Sequence, residues 1–466
     1  MPSFASRLIH PVEWGLSMIS NGCAAPEGSD AMNGARGIEN MQETFARGTL
    51  GRMRVHVLPT KRFKTFTVVL YGGVPLSPSR VTATALVPFV LRRGNRSYPE
   101  TKAFREKLDD LYGAGFGFNI FKRGDHQVVQ FRMDVINDRF VSASGSLLKE
   151  AMMFLGETVT APALENGVFR RNYVEAEKTT VLKRLEAIIN DKIRYAAERC
   201  VEEMCGDDVY RLHALGHKDD LPGIDAAVLH QRYREWLQEA VWDLYVAGDT
   251  TLEEVTELAS QAFRLPPGEP GDYRPPALLP PREEVRTVIE RLDVRQGKLN
   301  MGLTTGCLYG SEGYPALLLY NGLLGAFPHS KLFINVREKA SLAYYASSRL
   351  DGHKGIMTIQ SGIEIQNYEK AVGIIREQLE AMRRGDFSAE DVAKTKAMLV
   401  NQLREQNDSA LERIGFDFSA VLAGRSVSGE EMIRAIEAVT PEEIVAAAQN
   451  VRLDTIYFLR DLKGES

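Results

Sequence analysis

The sequence predicts an α+β protein of two homologous lobes, each a mainly antiparallel sheet with helices packed on one face, joined by a Pro-rich linker. Three observations carry this. Seven of the twenty prolines fall within 265–283 (Pro266, Pro267, Pro270, Pro275, Pro276, Pro280 and Pro281), a stretch that can hold neither a helix nor a central strand. It leaves two segments of similar size, 47–264 and 284–466. Both segments then run through the same order of patterned elements, which reads as an internal duplication with two copies rather than a solenoid.

In the first segment, β-branched and aromatic residues predict strands over 54–58 and 63–71, followed by helices over 82–91 and 100–111. Strands over 116–121 and 126–133 come next, then long helical patterns over 140–155 and 166–205. A helix over 225–239, a strand over 242–247 and a helix over 252–263 close the lobe. The second segment echoes it, with strands over 285–292 and 298–304, a helix over 314–324, and strands over 343–349 and 356–361. Tyr368, Val372, Ile375, Leu379 and Met382 then form one helical stripe, which Gly385 ends and after which Ser388 caps a new helix. Thr440-Pro441-Glu442-Glu443 supplies an N-cap, a proline at the first helical position and a capping-box glutamate before a last strand over 455–459.

Composition narrows the function classes. A chain of 466 residues with 44% hydrophobic and 26% charged residues is ordinary globular material, able to bury large cores. The net charge of −5, with no run of Lys or Arg, argues against nucleic acid or an anionic membrane as the main partner. No stretch of apolar residues is long enough to span a membrane. Residues 1–46 read as a poorly patterned, dispensable extension without the basic start and apolar run of a secretory leader, with Met32 or Met41 as alternative starts. The four cysteines, Cys23, Cys200, Cys205 and Cys307, are too scattered for a disulfide framework and read as inert thiols. Together these point to a cytoplasmic protein.

One string identifies a family. Leu323-Leu324-Gly325-Ala326, Ser330-Lys331-Leu332-Phe333, Val336-Arg337-Glu338-Lys339 and Leu342-Ala343-Tyr344 resemble the C-terminal half of pitrilysin/insulinase-type peptidases, which include the mitochondrial processing peptidase. Gly216, Asp219, Ile224-Asp225 and Val246-Ala247-Gly248-Asp249 agree with it in the first lobe. A narrower resemblance rests on Phe63-Lys64-Thr65, Leu111-Tyr112-Gly113-Ala114 and Lys122-Arg123-Gly124-Asp125-His126-Gln127. It is to bacterial insulinase-like proteins associated with the aminopentanol modification of elongation factor P.

The resemblance implies a zinc site on a helix of the first lobe, built from His-x-x-Glu-His and a later glutamate. Histidines at i and i+4 stand one turn apart and reach one ion, and the motif's glutamate serves as base for a metal-bound water. Here the matching helix reads Ala85-Leu86-Val87-Pro88-Phe89, so Ala85 and Phe89 replace the histidines and Pro88 the base. Glu177-Lys178 begins the glutamate-bearing segment, but its ligand position holds Arg184. The expectation is a non-catalytic chain that needs no metal or other cofactor. Arg337 and Tyr344 match an arginine–tyrosine pair that faces the substrate in the family, and are expected to contact a peptide or protein substrate. Expected partners are a zinc-bearing paralogue or a second copy of the chain. The alternative is a stand-alone binding scaffold.

Other signals yield blander readings. His213 and His217 have metal-like spacing, but Gly216 and Leu221-Pro222-Gly223 place them in a loop. Gly113-Ala114-Gly115-Phe116-Gly117 lacks Gly-Lys-Ser/Thr and precedes strands, so it predicts a tight turn rather than a phosphate loop.

Overall fold

A computed structural model describes residues 44–143 and 145–462, so the expected N-terminal extension lies outside the described residues except for positions 44–46. The first half contains β1 (Ala46–Leu50), β2 (Met53–Pro59), β3 (Thr65–Pro75), α1 (Val81–Leu91), α2 (Thr101–Asp110), β4 (Gly115–Arg123) and β5 (His126–Ile136). It continues through α3 (Leu147–Thr160), a small ribbon of β6 (Leu164–Glu165) and β7 (Val168–Phe169), α4 (Arg171–Ala187), α5 (Lys192–Cys205), α6 (Ala226–Glu239), β8 (Val241–Gly248) and α7 (Leu252–Ala262). The second half contains β9 (Arg286–Arg291), β10 (Gly297–Thr304), α8 (Tyr314–Asn321), β11 (Ala343–Asp351), β12 (Ile356–Ile363) and α9 (Tyr368–Arg383). After them come α10 (Ala389–Glu405), α11 (Ala410–Leu422), α12 (Gly429–Ala438), α13 (Pro441–Asn450) and β13 (Arg452–Arg460).

The strands form two sheets, ordered β1-β2-β8-β3-β5-β4 and β11-β12-β10-β13-β9. The pairs β2–β8 and β13–β9 are parallel and the remaining pairs of the two sheets antiparallel. Without β1, the first sheet reads β2-β8-β3-β5-β4 and the second, from its other end, β9-β13-β10-β12-β11. Chain order and strand direction correspond at every position, so the echo in the sequence is an echo in connectivity.

Alternation along each strand feeds two cores. On β3, Phe66, Val68 and Leu70 face the helices of the first half, while Val69 and Tyr71 face the other way. On β8, Leu244 and Val246 share the first side, and Tyr245 and Ala247 the second. Strands buried on both faces read as continuous apolar runs, which is why 242–247 was legible as a strand without showing which helix covers it.

That cover comes from the opposite half. Ala410, Ile414, Phe418 and Leu422, four residues apart along α11, lie on the second face of the first sheet, with Phe418 stacked on Tyr71 at 3.7 Å between ring centroids. Asp417 fixes the helix there through a bidentate pair with Arg47 (2.7 and 3.0 Å) and a bond from the Tyr245 hydroxyl (2.8 Å). Reciprocally, Ala196 and Cys200 of α5 pack under Tyr457 and Leu459 of β13. Gly302 of β10 admits the helix closely, since a Cβ there would stand 2.6 Å from the Met204 sulfur. The helices of each sheet's own half fill one face, and one helix from the other half crosses the opposite face.

The structure differs from the sequence reading in three places. The pattern expected over 166–205 divides into α4 and α5, because the Asp191 carboxylate accepts the amides of Ile193 and Arg194 and starts a second helix. The strand β1 precedes the first one expected, and pairs on the sheet edge with β2. The Pro-rich segment contains no helix or strand, but it is anchored rather than loose: Tyr273 is buried and the Ala277 carbonyl accepts from Lys354.

Lys354 ties the halves together. It is fully buried on the β11–β12 hairpin, and its ammonium spends three bonds, on Asp125 of the β4–β5 hairpin (2.7 Å), Asp208 after α5 (2.9 Å) and the Ala277 carbonyl (2.9 Å). Such a group is stable inside only because every donor is used.

Candidate functional site

Helix α1 is buried along its whole length and carries no charged residue, so it is a core helix rather than a surface helix. Ala85 and Phe89 are fully buried, one turn apart, and Pro88 between them removes the amide that would bond the Thr84 carbonyl. The Phe89 ring packs edge-on to Phe118 of β4, 4.8 Å between centroids.

The ring also meets the third expected ligand position. The Arg184 guanidinium, in the last turn of α4, sits over Phe89 at 4.9 Å from the centroid. Arg92, which follows α1, lies 5.6 Å from the same centroid and 5.5 Å from that of Phe118. Burial, together with the neighbouring Arg92, pulls the Arg184 pKa below its usual value. Phe89 and Arg184 therefore meet as a cation over an aromatic face.

Sequence reasoning used Glu177 only as a landmark. In the fold it is completely buried, and accepts from Arg93 Nε at 2.5 Å and from Arg92 at 3.4 Å. A glutamate on a mixed helix face gives no sequence signal of burial, and only the position of Arg92 and Arg93 beyond α1 creates its pocket.

Zinc does not fit these positions. Ala85, Pro88 and Phe89 offer no side-chain lone pair, and Arg184 offers donors only. Among the described residues, no group of three or more His, Cys, Asp or Glu could hold a metal ion. His213 and His217 lie in a loop whose backbone they serve: His213 Nδ1 accepts from Leu215 (3.1 Å) and His217 Nδ1 from Asp219 (3.4 Å). Gly216 sits there at φ +79°, where a Cβ would strike Thr82 of α1. The expected Gly-rich turn is likewise a turn, with Tyr112 and Gly113 at positive φ before β4.

Arg337 and Tyr344 lie in the second half. Arg337 is exposed on a π-helical turn (Phe333–Lys339) and stacks over Phe333 at 4.6 Å. Tyr344 is 65% exposed on the edge strand β11, and its hydroxyl donates to Glu364 at 3.1 Å. The pairing register slips between Ala343 and Tyr345, so Tyr344 is the bulged residue. A bulge re-aims a side chain away from the pleat, which accounts for an aromatic ring left in solvent.

Residues 223–399 match the family model described as the peptidase M16 inactive domain. The chain is 40% identical over 419 residues to the probable inactive metalloprotease YmfF of Bacillus subtilis, an alignment covering 89% of this chain and 97% of YmfF. Among solved structures, a conserved protein from Enterococcus faecalis V583 superposes with a TM-score of 0.84 at 32% identity, covering 91% of this chain and all of that one. A peptidase M16 inactive domain from Pseudomonas fluorescens shares the fold with a TM-score of 0.72 at 17% identity, covering 91% and 99% of the two chains.

Proposed function

The chain belongs to the peptidase M16 inactive-domain family, and from that premise we propose that it is a non-catalytic subunit that pairs with a zinc-bearing paralogue and helps hold a peptide substrate. It is a degenerate metallopeptidase homologue without His-x-x-Glu-His, and no zinc peptidase. The observation that carries the proposal is the contrast between its two halves. The metal positions of α1 and α4 are closed by Phe89 under Arg184, whereas Arg337 and Tyr344 stand exposed on and beside an edge strand. Exposed polar-aromatic groups held only by local contacts, Arg337 with Phe333 and Tyr344 with Glu364, suit contact with a ligand. Arginine can clamp a carbonyl or carboxylate, and a tyrosine hydroxyl can donate to a polarised oxygen.

The division into lobes 47–264 and 284–466 about the linker 265–283 belongs to the same proposal, as does a cytoplasmic location. Among the described residues no helix is long and apolar enough to cross a membrane. Among the described residues β4 and β11 are edge strands of their sheets, and an extended peptide can lie along such an edge. The finer reading, from the narrower resemblance, places the substrate within elongation factor P modification.

The test is affinity purification of the tagged chain from its own cell, followed by reconstitution. A zinc-bearing paralogue should co-purify, and peptide turnover should require both chains. A chain that only self-associates, and adds nothing to the paralogue's turnover, would refute pairing. Deleting the gene should abolish the elongation factor P modification, and unchanged modification would refute that finer link.

A further inference from the structure

The arginines around Phe89 hold more donors than the fold uses. Glu177 takes bonds from Arg93 and Arg92, so one carboxylate is shared between two guanidinium groups. Arg184 makes no hydrogen bond or ion pair among the described residues, and its guanidinium lies over the Phe89 ring. A guanidinium stacked on a ring spends its face and leaves its N–H fork free in the plane. Arg184 and Arg92 are open to solvent on one side, with Arg92 39% exposed. Three cations against one carboxylate leave the cluster two charges in excess. Glu177 already shows that these arginines take a carboxylate, and Arg92, which bonds it, also lies 5.6 Å from the centroid of the ring that Arg184 covers.

We propose that Arg184 and Arg92 form a carboxylate-binding site where the family's metal centre would lie. The site takes a carboxylate of the bound peptide, and in that respect rests on the peptide-holding reading above. The carboxylate is either the peptide's C-terminus or an acidic side chain. Charge-assisted bonds from two planar forks beside the aromatic rings of Phe89 and Phe118 favour a flat anion.

Phenylglyoxal labelling of Arg184 in the full chain, read by peptide mass spectrometry, tests this. Acetylglycine stands for a peptide C-terminus, acetylglutamate α-amide for a side chain, and acetylglycinamide for the same backbone without charge. At about ten times its dissociation constant, a carboxylate should slow labelling about tenfold. The neutral amide should do nothing, and the carboxylate that protects at the lower concentration identifies the source. Arg92→Gln should abolish the protection in a chain that still unfolds cooperatively, with a somewhat lower midpoint because Glu177 loses one of its two donors. Equal labelling with all three probes, equal protection by inorganic phosphate, or protection that survives Arg92→Gln would overturn the site. The probes are capped single residues, so failure here is separable from failure of the peptide reading. Peptide capture unaffected by Arg184→Met would retire the site alone, and protection by acetylglycine without capture of any peptide would retire the peptide reading alone.

Discussion

Replacing Lys354 by methionine should loosen the junction between the halves more than any surface change. The side chain is fully buried, and all three of its donors are used, on Asp125, Asp208 and the Ala277 carbonyl. Methionine keeps the apolar stem but leaves two carboxylates facing each other without their cation. Removing one member of a fully buried ion pair costs 3–5 kcal/mol; because the Asp125 and Asp208 side chains are 24% and 19% exposed and can rehydrate, about 3 kcal/mol is expected. For lobes of this size that lowers the thermal midpoint by about 6–12 °C. Because Lys354 holds Ala277, limited proteolysis within 265–283 should accelerate in parallel. The assay is a thermal melt of Lys354→Met beside the triple variant Lys354→Met/Asp125→Asn/Asp208→Asn. The triple variant removes the orphaned charges as well and should recover most of the loss. A single variant costing under about 1 kcal/mol, or a triple variant no better than the single, would refute the assignment of Lys354 as the tie.

Phe418→Ala should destabilise by about 3–5 kcal/mol, seen as a lower urea midpoint, since it empties the stack on Tyr71 and unseats α11 from the first sheet; a loss under about 1 kcal/mol would argue that α11 is only loosely held. Burial pushes the pKa values of His126 and His353 down to about 4, below the unfolded value of 6.5. Between those values the unfolded chain binds more protons, so stability is complete above pH 6.5 and declines as pH falls toward 4. His353→Phe keeps the stack on Tyr309 and should flatten that slope in pH-dependent melts; an unaltered slope would exclude His353 as a contributor. The purified chain should carry almost no zinc after dialysis against a weak chelator, whereas Ala85→His/Pro88→Glu/Phe89→His/Arg184→Glu should gain about one equivalent by mass spectrometry. If the restored ligands bind nothing, the assignment of these four positions is wrong. Tyr344→Phe should leave the melt unchanged, because the ring is exposed, while weakening peptide capture by the assembled pair; undiminished capture would remove Tyr344 from the contact set.

Much of this molecule was legible in the sequence because it is written in local chemistry. The doubled order of elements, the caps at Ser388 and Thr440, and the breaking power of seven prolines depend on a few adjacent residues. The same is true of Ala85 and Phe89: once α1 is a helix they share a face, and neither side chain can hold a metal. What the sequence left open depends on partners distant along the chain. The apolar stripes of α5 and α11 state that each helix is covered, but a stripe carries no address, and only the fold sends each to the other half's sheet. Nothing in the sequence marks Lys354 and Glu177 for burial, since charged side chains are seldom buried, and each is stable inside only through partners brought from elsewhere. The same holds for Arg184, whose place over Phe89 joins two helices almost a hundred residues apart in the chain. Periodicity fixes which side of an element is buried, and long-range packing decides against what.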